Sequence, residues 1–181
     1  VTAPILLEPF RFQRLISFTN PWADPLGVGY QLSNALMAFG RGEWFGTGLG
    51  HSVQKLSYLP EAHTDFMLAV LGEEFGFVGV TIVMALSFTM LACCIRIGHR
   101  ALQHNYLRAG YLAYGISIIF LLQILVNAGM NMGLMPTKGL TLPFISYGGT
   151  SLMMCAAMIS LILKIDASTQ ELNPVKEESN F

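Results

Sequence analysis

Hydrophobic and polar positions separate into long blocks along this chain. Between Phe77 and Ile95 there is no charged residue. A run of that length can cross a hydrocarbon core of about 30 Å. The pattern predicts three membrane-crossing helices, within residues 66–95, 109–134 and 144–163. Each has room for the roughly 20 residues a crossing helix needs. The opening third of the first carries Glu73 and Glu74. Residues 11–64 read differently, because charges, Pro21, Pro25, Pro60 and closely spaced glycines interrupt them. Within that segment residues 30–39 predict a short amphipathic helix with Leu32, Leu36 and Phe39 on one face. Residues 41–50 predict a loop. The expected fold class is an all-α polytopic membrane protein, with three C-terminal transmembrane helices and a large external loop bearing short amphipathic helices.

Charge placement orients these elements. Arg96, Arg100 and Arg108, with His99 and His104, fall between the first two spans, whereas the link between the second and third holds only Lys138. The excess of positive charge on cytoplasmic loops puts residues 96–108 inside and residues 135–143 outside. Residues 1–64 are then the end of a preceding span and an external loop, and residues 65–165 are the three helices. Residues 166–181 form a polar cytoplasmic tail expected to be disordered. Trp22 and Trp44 suit a membrane interface. The chain opens at Val1 without an initiator methionine, and its apolar start reads as the end of an earlier span, so a fragment of a longer protein is expected.

Composition narrows the class further. The 181 residues are 53% hydrophobic and only 12% charged, about half the charge of a soluble domain. A net charge of −1 gives no electrostatic footprint for nucleic acid. Cys93, Cys94 and Cys155 all lie in apolar runs without C-x-x-C spacing. They predict neither a zinc site nor a disulfide framework, and each is expected to be a buried structural thiol.

Candidate chemistry concentrates just before the first span, in Leu59-Pro60-Glu61-Ala62-His63-Thr64-Asp65-Phe66. If a helix starts at Pro60, Glu61 and Asp65 stand one turn apart on one face. Two such carboxylates can divide labour, one accepting a proton while the other holds a metal or a cation. They can also simply complement a helix N-terminus. His63 points elsewhere on such a helix. Glu73 and Glu74 read either as intramembrane acids, functional by default, or as interface residues on a helix standing proud of the membrane. Gln123, Asn127 and Asn131 recur every four residues and form a polar stripe. Interhelical packing, helped by the Gly129–Gly133 spacing, is the favoured reading over a wet cavity wall. Gly46, Gly48 and Gly50 mark a tight turn rather than a phosphate loop, since no strand precedes them and no glycine-lysine-serine follows. Lys138, on the external side with Asp65, either snorkels or pairs with a carboxylate or a diphosphate. Ser146 to Ser151 supply hydroxyls and small residues at the top of the third span.

Ordered blocks across nearly the whole chain carry a family resemblance. Asn20-Pro21-Trp22, Gly29-Tyr30-Gln31, Gly46-Thr47-Gly48-Leu49-Gly50, the Leu59–Phe66 stretch, Gly72-Glu73-Glu74, Pro136-Thr137-Lys138-Gly139 and Ile145-Ser146-Tyr147-Gly148-Gly149 resemble the SEDS family (shape, elongation, division and sporulation), closest to its cell-division member. The resemblance implies a multi-pass peptidoglycan glycosyltransferase of the bacterial inner membrane at the septum, of about ten spans, with its active site on the periplasmic side. The fragment alone is expected to be inactive. The implied substrate is lipid II, and the implied partners are a single-span division transpeptidase, other divisome proteins and membrane lipid, with no nucleic acid. Asp65 matches the family's catalytic aspartate. Lys138, Glu61, His63, Ser146, Arg41 and Lys55 are candidate substrate contacts. These residues single out no cofactor with certainty; a divalent cation, Mg²⁺ or Mn²⁺, is compatible with Glu61 as one ligand. A lipid II flippase and a non-catalytic scaffold for a transpeptidase remain the alternatives.

Overall fold

A computed structural model describes residues 22, 29–52, 64–136 and 139–171. Among these residues there are helices and irregular segments and no strand. Four helices follow in order: α1 (Tyr30–Gly42), α2 (Met67–Gln103), α3 (Leu107–Asn131) and α4 (Gly149–Glu171). The last three are long and apolar enough to cross a membrane. Large side chains such as Ile82, Leu86, Ile118, Leu122, Met153 and Leu163 point outward from them, an arrangement suited to lipid rather than water.

The helices divide between two compact units. Of the described residues, those up to Met84 and within Gln123–Tyr147 belong to one, and Ala85–Leu122 with those from Gly148 onward belong to the other. In the first unit α1 lays Ala35 and Ala38 against Phe66, Ala69 and Val70, with Phe39 at the edge. Leu68, Val80, Ile124, Ala128 and Leu142 form its second cluster. In the second unit Leu91, Cys94, Ala101, Ala113, Phe120, Cys155 and Ile162 share one core. Cys93 is exposed, unlike its neighbour Cys94. Consecutive positions on a helix turn by about 100°, so the expectation of three buried thiols holds for two.

Helix ends differ from the hydrophobic pattern for local reasons. α1 runs through Gly42, so Arg41 belongs to its last turn and not to a loop. α2 continues to Gln103, and only residues 104–106 separate it from α3. Asn105 adopts a left-handed φ of 60°. Tyr106 N donates to Ala101 O and Asn105 N to Leu102 O, the paired bonds of a Schellman cap. Arg96, His99 and Arg100 therefore ride on helix, and Arg108 lies in the first turn of α3. The same cap ends α3. Gly133 has φ 74°, with Leu134 N bonded to Gly129 O and Gly133 N to Met130 O. Gly133 thus terminates the helix and does not form a small-residue packing pair with Gly129. α4 reaches Glu171, so residues 166–171 of the expected tail are helical.

α2 is interrupted at Gly76, where φ 67° and ψ −165° are non-helical. Such backbone is essentially restricted to glycine. An interruption orphans carbonyls on one side and N–H groups on the other. Residues 43–48 fill both sets. Thr47 N and Gly48 N donate to Glu73 O and Glu74 O, while Phe77 N and Val78 N donate to Glu43 O and Trp44 O. The Trp44 ring meets Phe77 edge-on at 5.4 Å.

Candidate functional site

The site is built where the turn before α2 meets the end of α3 and the segment following it. Thr64, Asp65 and Phe66 form a turn, and α2 starts at Met67. Asp65 therefore lies in a turn that precedes the helix, and the expected helix start at Pro60 lies outside the described residues. Val70 N reaches back to Phe66 O at 3.2 Å. Asp65 is half-buried.

Two asparagines from α3 grip this turn. Asn127 Nδ2 and Asn131 Nδ2 each donate to the Asp65 carbonyl oxygen at 3.0 Å. Asn131 Oδ1 accepts from Ala69 N at 3.2 Å, a donor in the first turn of α2 that also reaches Phe66 O at 3.0 Å. Asn127 Nδ2 also donates to Leu140 O. Asn131 Nδ2 bonds Asn127 O at 2.9 Å. Both side chains are 0% exposed. Of the predicted polar stripe, these two are packing residues and do not wall a wet cavity. Gln123, one turn back, is only partly buried, and its Oε1 has no hydrogen-bond partner among the described residues.

The segment after α3 closes on the same turn. A Cβ at Gly139 would stand 3.3 Å from Asp65 Oδ2, so this glycine lies against the carboxylate. Ser146 Oγ accepts from Leu142 N at 2.9 Å and is buried. It shapes the turn leading into α4, with its oxygen engaged by backbone. Lys138, Glu61, His63 and Lys55 lie outside the described residues.

Arg41 is placed elsewhere. Its Nη1 stands 3.6 Å from Glu73 Oε1, and its side chain is 51% exposed. Glu73 is fully buried, and Ser52 Oγ donates to its Oε2. Thr47 Oγ1 donates to Glu73 O at 3.0 Å. Glu73 thus ties the glycine-rich loop to the first part of α2, a role signalled in the sequence only by an acid in an apolar run. Glu74 is also buried, at 8% exposed. The glycine loop has no phosphate-cradle character. The N–H groups of Gly46, Thr47 and Gly48 are spent on Gly42, Glu73 and Glu74 carbonyls, and a Cβ at Gly46 would fall 2.1 Å from Glu74 O.

Among the described residues no three His, Cys, Asp or Glu side chains come together; Glu61, the candidate ligand for a divalent cation, lies outside them.

Comparison with known proteins places this arrangement in a family. The chain is 89% identical over 177 residues to a protein of Acinetobacter baylyi named probable peptidoglycan glycosyltransferase FtsW, covering 98% of this chain and 44% of that protein. A protein of the same name from Aliivibrio salmonicida is 56% identical over 162 residues, covering 90% and 40%. The chain thus spans about two fifths of the length of these relatives. A solved structure described as "Structural coordination of polymerization and crosslinking by a peptidoglycan synthase complex" contains a similar chain. It is 29% identical with a TM-score of 0.70, covering 93% of this chain and 45% of that one. The model of the FtsW/RodA/SpoVE family, described as cell cycle protein, matches residues 1–171. This chain belongs to the FtsW/RodA/SpoVE family of cell cycle proteins.

Proposed function

We propose that the protein polymerises lipid II into glycan strands during cell division, with Asp65 as general base. The observation that carries this reading is the mounting of Asp65: a half-buried carboxylate at the start of a membrane-crossing helix, its backbone held by two fully buried amides. A positioned base typically contributes about 10²–10⁴-fold to rate. The names borne by the relatives point to the same reaction class.

The chemistry balances simply. Asp65 takes the proton from the acceptor's sugar hydroxyl as that oxygen attacks the donor's anomeric carbon. The bond from that carbon to the diphosphate breaks, polyprenyl diphosphate departs with the electron pair, and the centre inverts. Lys138 is the cation assigned to the leaving diphosphate, with Lys55 as a second. Arg41 is less suited, because Glu73 already faces its guanidinium. The substrate's tail lies in the bilayer and its sugars outside, so the reading requires Asp65 at the periplasmic face of the inner membrane. A single-span transpeptidase would use the strands made here. Glu61 remains the candidate ligand for Mg²⁺ or Mn²⁺.

The decisive experiment gives purified full-length protein lipid II in detergent and follows glycan chain formation, with and without chelator. Wild-type protein forms chains, and Asp65→Asn forms none while still inserting in membranes. Normal chain yield from Asp65→Asn removes Asp65 from its role. Absence of chains from folded wild-type protein with its transpeptidase present favours the flippase or the scaffold.

A further inference from the structure

We infer that Asn127 and Asn131 are positioning residues for the Asp65 carboxylate, together fixing the turn that carries it and the segment that lies against it. The inference rests on the general-base reading above and deepens it.

Partner chemistry sets the orientation of both amides. Asn127 Nδ2 faces two carbonyl oxygens, those of Asp65 and Leu140, so only its NH₂ fits there. Asn131 turns its NH₂ to Asp65 O and its oxygen to Ala69 N–H. The peptide after Asp65 is therefore held from the Asp65 carbonyl, and the helix start from Ala69. With that peptide plane fixed, the direction of the Asp65 side chain is confined to few rotamers. Asn127 adds a second restraint. By bonding Leu140 as well as Asp65 it sets the spacing between the aspartate and the chain that includes Gly139, the residue against the carboxylate. Neither amide touches the carboxylate, so neither is a catalytic residue.

A displacement of about 1 Å in a reacting group can cost about 10²-fold in rate. Losing the Asn127 donor should lower kcat by about 10- to 100-fold while KM for lipid II stays within about twofold, because substrate contacts are untouched.

The test uses full-length protein in detergent with lipid II and measures kcat, KM and the melting temperature for Asn127→Ala, Asn131→Ala and Gln123→Ala. Both asparagine variants should show the kcat loss per folded molecule, and Gln123→Ala, on the same helix without a bond to the turn, should keep wild-type kcat. Asn127→Ser, which keeps a shorter donor, should recover part of the loss; if Asn127→Ala yields no folded protein, Asn127→Ser decides on the same readouts. Wild-type kcat in the folded asparagine variants, or a change confined to KM, overturns the inference. An inactive Asp65→Asn beside fully active asparagine variants sinks this inference alone, whereas an active Asp65→Asn sinks the general-base reading beneath it.

Discussion

Single side chains here work through what they leave unsatisfied when removed. Glu73 shows this most plainly. It is fully buried, with Ser52 Oγ on one oxygen and Arg41 near the other. Glu73→Ala removes an acceptor of the Ser52 hydroxyl and should destabilise the full-length protein by about 1–3 kcal/mol. Glu73→Gln keeps an acceptor and should cost less. Thermal unfolding in detergent orders the two, and equal melting temperatures for Glu73→Ala and wild type would remove the network from the stability account. Asp65 was legible as a candidate from its sequence neighbours alone. Its two asparagine supports were visible only as a four-residue periodicity, because a stripe shows which face is polar and not what that face meets. Ser52 gave no signal, since a serine in a loop carries no mark of a buried partner 21 positions away.

Helices here are set as much by their terminations as by their apolar runs. The break at Gly76 and the clasp of residues 43–48 depend on each other. A Cβ at Gly76 would lie 2.5 Å from Gly46 N, and its backbone conformation is restricted to glycine. Gly76→Ala should therefore destabilise by at least the about 1–3 kcal/mol such a conformation costs. Gly40 lies inside α1 with open space where a Cβ would go. Gly40→Ala should stabilise by about 0.5–1 kcal/mol. Paired melting curves test both signs; an unchanged melting temperature in Gly76→Ala would mean the clasp is not needed. The apolar run predicted one helix across residue 76, because glycine in such a run is ordinary and hydropathy does not register a change in φ. The short link after Gln103 was likewise hidden. Arginines read as loop, yet Asn105 alone supplies the left-handed residue that ends the helix.

For the whole molecule the proposed reaction turns on which end faces which side of the membrane. The proposed reaction needs the Asp65 turn outside and the 104–106 link inside. In a cysteine-free background, His51→Cys should label with a membrane-impermeant maleimide in intact spheroplasts, and His104→Cys only after permeabilisation. The reverse pattern would contradict lipid II chemistry at Asp65. At this scale the sequence by itself determined the class, three membrane-crossing helices and their order, because lipid demands long uncharged runs whatever packs against them; the family was carried by its ordered motif blocks. It also singled out Asp65, since an acid beside such a run is rare enough to notice. Tertiary structure alone decided what holds that acid. The Asn127 and Asn131 bonds join residues 62 and 66 positions apart, and the clasp at Gly76 joins segments 26 apart. Contacts of that reach depend on how helices pack, and a linear pattern of polar and apolar residues does not encode which buried donor meets which acceptor.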